Sequence, residues 1–79
     1  MKAEIKTKVD LAAYRVQVGK QLKMIREAQG WTCEQVAMMA DVKEVTIEKI
    51  EAGAFNVPLD LLARVADVLG CEVLIRQAV

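Results

Sequence analysis

The segment between Gly30 and Gly53 constrains this chain more than any other. Thr32 and Gln35 have the spacing of a capping box, in which a hydroxyl accepts from a backbone N–H and an amide oxygen reaches back to the cap. Val36, Ala37 and Ala40 then form one apolar stripe. A turn follows at Asp41-Val42-Lys43. A second short helix is predicted from Glu44 to Ala52, with Ile47 and Ile50 inward, Val42 as a staple and Gly53 as the stop. Helices this short are marginal alone, so they must be packed on a scaffold.

The flanking chain has the pattern of such a scaffold. Asp10 can cap a helix in which Leu11, Tyr14, Val18, Leu22 and Ile25 run at helical spacing to Gln29, and Gly30 stops it. Gly19, inside this run, reads as a break or a weak point. Phe55 is expected to plug the core after a tight loop. Pro58 suits a helix start, and Leu59, Leu62, Val65, Ala66 and Leu69 form an amphipathic helix to Gly70.

Both ends have the character of strands. Residues 1–9 alternate Ala3, Ile5, Thr7 and Val9 with Lys2, Glu4, Lys6 and Lys8, which reads as a half-buried strand or a tail. Cys71 to Arg76 is rich in β-branched and apolar residues. A strand needs partners for its N–H and C=O groups. Either the N-terminal segment or the same tail of a second subunit can provide them. The expected organisation is one domain, with a helical part over 10–70, an N-terminal strand or tail over 1–9 and a C-terminal strand over 71–77.

Composition narrows the function. The 79 residues include no His and no Ser, which excludes Ser- or His-dependent catalysis, and the four glycines make no phosphate-cradling loop. A non-enzymatic role without cofactor is expected. No apolar run has signal-peptide or bilayer-spanning length, and Cys33 and Cys71 have no CxxC spacing, so a reduced cytoplasmic setting is expected. Lys plus Arg balances Asp plus Glu at eleven each. The balance is uneven along the chain. Arg15, Lys20, Lys23 and Arg26 against Glu27 make residues 11–31 basic, while Lys43 and Lys49 against Glu34, Asp41, Glu44, Glu48 and Glu51 make residues 32–53 acidic. Ordinary solvated helix faces would give the same pattern.

The run GKQLKMIREAQGWTCEQVAMMADVKEVTIEKIEAG resembles the Cro/C1-type helix-turn-helix family, also called the XRE family. Leu22, Arg26, Gly30-Trp31-Thr32, Val36-Ala37, Val42, Thr46-Ile47, Ile50-Glu51 and Gly53 carry the likeness, and PLDLLARVADVLG looks like the next family helix. The tail and the GWT run are more loosely similar to Hip-type antitoxins, whose tails pair across a dimer. The resemblance implies a mainly α, lambda-repressor-like bundle of about five helices, with the second crossing the DNA backbone and the third in the major groove. It further implies a homodimeric regulator of transcription that binds double-stranded DNA, with a toxin as a further partner if the Hip likeness holds.

Carried over position by position, the resemblance places Lys43, Glu44, Val45 and Lys49 against the bases, and Thr32, Cys33, Thr46 and Glu48 at phosphates or edges. An Arg26–Glu51 ion pair is implied as a structural feature. Val73, Leu74 and Ile75 are expected at the dimer contact. The chain departs from the family where Cys33 replaces the usual Gln, where Lys43 and Val45 replace small polar residues, and where Glu44 and Ala52 replace polar or basic ones. Amide-to-adenine readout is therefore missing. Glu44 can accept from a cytosine amino group and Val45 can touch a thymine methyl, with Lys43, Lys49 and the basic first helix then holding phosphates. Alternatively, the same fold serves as a protein-interaction or dimerisation module without DNA binding. Cys33 at a helix start would have its thiol pKa lowered by the dipole, which suggests a redox switch; a small packed residue is the other reading. Met24, Met38 and Met39 suit either an adaptable surface or ordinary core and rim filling.

Overall fold

The structure, a computed structural model, describes residues 10–54 and 56–77. The expected segment 1–9 and the Phe55 plug lie outside the described residues. Four helices are formed: α1 (Leu11–Ala28), α2 (Cys33–Ala40), α3 (Glu44–Glu51) and α4 (Leu59–Val68). The described residues thus hold four helices where the resemblance implied about five.

Each helix begins as its local chemistry dictates. Asp10 accepts the Ala13 N–H at 3.0 Å and so starts α1. Thr32 accepts the Gln35 N–H at 3.1 Å while Gln35 Oε1 accepts the Thr32 N–H at 2.8 Å, completing the expected capping box of α2. Asp41 ends α2 at φ 59, a left-handed conformation that Asp tolerates better than most side chains. The Val42 N–H returns to the Ala37 carbonyl at 2.9 Å and closes the turn into α3. Pro58 precedes α4 without a side-chain cap, its lost N–H costing nothing at a helix start.

α3 packs against α1 and α2, and α4 covers α2. Leu22, Val36, Ala37, Ala40, Ile47, Ile50, Val65, Ala66 and Leu69 are buried at the junction, with Val18, Ile25, Val42 and Leu62 half-buried around them. The inward stripes of α2, α3 and α4 are therefore largely those the spacing predicts. The exceptions sit at helix starts. Leu11 and Tyr14 are 61% and 60% exposed, and Leu59 is 66% exposed. Helical spacing sets which side of α1 and α4 they occupy, but not whether another described residue covers them there.

Gly19 neither breaks nor weakens α1, which runs through it without interruption. The residue is buried, and a Cβ there would collide with the Ile50 carbonyl oxygen and lie 2.6 Å from that of Glu51. Glycine lets the backbones of α1 and α3 touch. Gly53 has a related role: its φ is +72, and a Cβ would lie 2.7 Å from Val16 Cα.

The C-terminal segment departs from expectation. Residues 71–77 form no strand in the single chain. The Cys71 N–H bonds to the Ala66 carbonyl at 2.8 Å, closing α4, and the rest of the segment has no ladder partner among the described residues. One expected pairing partner lies outside the described residues; the other requires a second subunit. Val73, Leu74 and Ile75 are exposed, Ile75 at 99%. Met24, Met38 and Met39 are likewise exposed, so they fill no core.

Candidate nucleic-acid interface

α3 buries Ile47 and Ile50 and turns its other residues outward. Lys43, Glu44, Val45, Glu48 and Lys49 are exposed, Val45 at 47%, and Thr46 is half-buried. The structure thus brings the four positions implied to face bases, Lys43, Glu44, Val45 and Lys49, onto the accessible part of one eight-residue helix and its cap. Lys43 is that cap and makes no side-chain hydrogen bond to the helix, because an ammonium cannot accept from an N–H.

The charges on α3 also have a local reason. Glu44 lies in the first turn and Lys49 in the last. Each complements the helix macrodipole, worth about 0.3–1 kcal/mol apiece at an exposed site. Glu44 and Glu48 stand one turn apart as like charges, an arrangement that costs roughly 0.2–0.5 kcal/mol. The acid at Glu44 is therefore compatible with helix stability, while Glu48 is a small expense.

The positions implied at phosphates or edges split into two kinds. Thr32 is exposed, yet its hydroxyl and its N–H are both engaged by Gln35 in the capping box. Cys33 is half-buried, with Sγ 3.7 Å from Glu51 Oε1. Burial, then the Glu51 charge, pushes its thiol pKa above the usual value. This differs from the lowering expected at a helix start: loss of water and then the Glu51 carboxylate favour the protonated thiol, which suits a packed residue better than a redox sensor.

Behind this surface lies a buried ion pair. Arg26 Nε donates to Glu51 Oε2 at 2.6 Å, Nη2 donates to Oε1 at 3.0 Å, and Nη1 donates to the Trp31 carbonyl at 2.7 Å. One guanidinium thus ties the end of α1, the entry to α2 and the end of α3 together. The hydrogen bond with Glu51 raises the Arg26 pKa further, so the residue stays charged. The pair implied from the sequence is present, and among the described residues no buried side-chain polar atom lacks a partner.

Two further contributors, Arg64 and Gln29, were not legible in the sequence, and Lys23 was legible only as part of the basic first helix. Lys23 lines one hollow with Cys33, Glu48 and Ala52, placing a cation beside the start of α2; its position three residues before Arg26 was the available signal. Arg64 donates to the Ala40 carbonyl at 3.2 Å and caps the end of α2 from α4. Gln29 donates to the Leu69 carbonyl at 2.7 Å and accepts from Trp31 Nε1 at 3.0 Å, joining the helix junction to the end of α4. Neither of these two has a local signature, because both depend on long-range packing. Among the described residues no His, Cys, Asp or Glu cluster could hold a metal ion, and no helix is long and apolar enough to cross a membrane.

Two short helices around a tight turn, the second presenting an exposed face from a three-helix support, define the helix-turn-helix class. The chain belongs to the family described as Helix-turn-helix domain, which it matches over residues 17–77. Its fold is similar to that of the restriction-modification controller protein C.AhdI from Aeromonas hydrophila, at 28% identity and a TM-score of 0.73, covering 76% of this chain and 91% of that one. The clp gene regulator ClgR from C. glutamicum is similar at 28% identity and a TM-score of 0.73, covering 87% and 85%. An HTH_3 family transcriptional regulator from Vibrio cholerae shares the fold at 22% identity and a TM-score of 0.73, over 78% of this chain and 35% of that one. No curated protein matches. The Cro/C1-type resemblance holds, and the chain has the fold of DNA-binding transcriptional regulators.

Proposed function

We propose that this protein is a transcriptional regulator that binds a specific duplex DNA sequence as a homodimer. One observation carries the reading: Lys43, Glu44, Val45 and Lys49 are exposed together on α3, while Arg26 and Glu51 fix that helix from behind. In this reading α3 enters the major groove. Glu44 accepts from a cytosine N4 amino group, and Val45 packs on a thymine methyl. Lys43, Lys49 and Lys23 face phosphates and set the register. The C.AhdI and ClgR descriptions, a controller protein and a gene regulator, support the same role.

The homodimer places two α3 helices about 34 Å apart, one turn of duplex, so the operator is twofold symmetric. Val73, Leu74 and Ile75 supply its contact, with the two tails pairing as strands across the twofold axis. In the finer version of this reading, a toxin is a further protein partner and the setting is cytoplasmic. Co-purification with the product of a neighbouring gene tests that version.

Binding to duplex DNA from the protein's own upstream region, followed by fluorescence anisotropy across a salt series, tests the central reading. Affinity falls steeply with salt as counterions are released, and Lys43→Ala with Lys49→Ala lowers both the affinity and the salt slope. Absence of wild-type binding at low salt rejects the regulator and leaves a protein-interaction module. Wild-type binding that survives both substitutions unchanged rejects α3 as the docking surface.

A further inference from the structure

The C-terminal segment carries two charged side chains, Glu72 and Arg76, and no other lies beyond Gly70. Both are exposed. Between them stand Val73, Leu74 and Ile75, exposed apolar residues with no ladder partner among the described residues. Glu72 borders two hollows, and in one of them it lies with Asp60 and Asp67 of α4. Among the described residues no Lys or Arg lines either hollow. Arg64, the cation of α4, donates instead to the Ala40 carbonyl. One end of the tail is therefore acidic, and the other carries its only cation.

Charge can fix how two such tails pair. Identical strands that pair antiparallel about a twofold axis place one residue opposite its own copy, and the choice of that residue sets every other pairing. With the axis at Leu74, Glu72 stands opposite the partner's Arg76 and Val73 opposite the partner's Ile75, each twice. With the axis at Val73, Glu72 stands opposite the partner's Leu74. With the axis at Ile75, Arg76 does. Parallel pairing in register sets each charge opposite its own copy, which is unfavourable. Of these arrangements only the centre at Leu74 joins opposite charges. Successive side chains of a strand point to opposite faces, so Glu72, Leu74 and Arg76 then share one face, and Val73 and Ile75 the other.

We infer that the two tails of the homodimer pair antiparallel about Leu74, held in that register by two Glu72–Arg76 ion pairs between subunits. The inference rests on the homodimer of the proposed function and not on its DNA binding. Leu74 packs on the partner's Leu74 between the two ion pairs. The partner's Ile75 comes beside Val73, which shares a hollow with the apolar Leu59 and Ala63. The partner's Arg76 arrives at the acidic end of the tail, where Asp60 and Asp67 add to the attraction of Glu72. The ion pairs thus select the register, while the apolar residues supply the buried area.

Charge reversal in the full-length protein, read by sedimentation equilibrium, tests the register. Glu72→Arg and Arg76→Glu should each weaken the homodimer by roughly tenfold, because both pairs of the dimer become like charges. Arg76→Glu should be the more damaging, since its new carboxylate also meets Asp60 and Asp67. Mixing the two variants restores opposite charges at both pairs, so heterodimers should form in excess of the statistical proportion and at close to wild-type strength. Native mass spectrometry of the mixture counts them. Variants that dimerise as tightly as wild type overturn the register, as does a mixture without preference for the heterodimer; in either case the homodimer itself stands. A wild-type protein that stays monomeric at every concentration rejects the homodimer and the register together.

Discussion

Arg26 and Glu51 meet at two points, Nε to Oε2 at 2.6 Å and Nη2 to Oε1 at 3.0 Å, across a sequence gap that spans the whole helix-turn-helix. The same guanidinium holds the Trp31 carbonyl. The arrangement requires a planar fork, which lysine lacks. Glu51→Ala leaves the buried Arg26 cation with only the exposed Glu27 carboxylate, 3.9 Å away, and is expected to cost about 3 kcal/mol. Arg26→Lys should recover only part of the loss seen in Arg26→Ala. Urea unfolding of the three variants measures this, and a fully stable Arg26→Lys protein contradicts it.

The approach of α1 to α3 at Gly19 yields a second test. A methyl group there meets the carbonyls of Ile50 and Glu51, which belong to backbone and cannot swing aside. Gly19→Ala is therefore expected to destabilise by about 1–3 kcal/mol, although alanine is the better helix former. Lys20→Ala, at the exposed neighbour, should stay within about 0.5 kcal/mol of wild type. Thermal unfolding compares the two. Equal midpoints contradict the close approach.

Those two contacts mark how far the sequence could be read. The capping box, the turn at Asp41-Val42-Lys43 and the buried Ile47 and Ile50 follow from local spacing, and local spacing is visible in a string of residues. The role of Gly19 is not local: it depends on which backbone lies opposite. Leu11, Tyr14 and Leu59 fit their helical stripes but lie on first turns, and periodicity says nothing about where a neighbouring element stops. On the candidate surface, the exposure of Lys43, Glu44, Val45 and Lys49 was legible. The caging of Cys33 by Glu51 was not, because the helix dipole was the only influence the sequence displayed.

Cys33 is expected to react slowly. Burial and Glu51 raise its pKa, so less thiolate is present at any given pH than for a free cysteine. In a Cys71→Ala background, iodoacetamide should modify Cys33 more slowly at neutral pH than it modifies a short cysteine peptide. The rate should rise only at a higher pH than the peptide's, or on unfolding. A rate equal to or above the peptide's contradicts the assignment.

The proposed dimer contact predicts a concentration-dependent change. Replacing exposed Leu74 and Ile75 with Asp removes apolar area and adds like charges at the proposed twofold axis. Sedimentation equilibrium should show the double variant shifted toward monomer with the helical content retained. An unchanged dimer removes the tail from the interface.

In the proposed function α3 reads bases despite its acids, and Glu44 decides it. Wild-type protein and Glu44→Ala are each used to select from a random duplex library at low salt. Wild type is expected to enrich a twofold-symmetric site. Glu44→Ala should then lose its preference for a cytosine at one position in each half-site, a discrimination worth about 1–3 kcal/mol. A wild-type protein that enriches no site, or a variant with the same base preferences at every position, contradicts it.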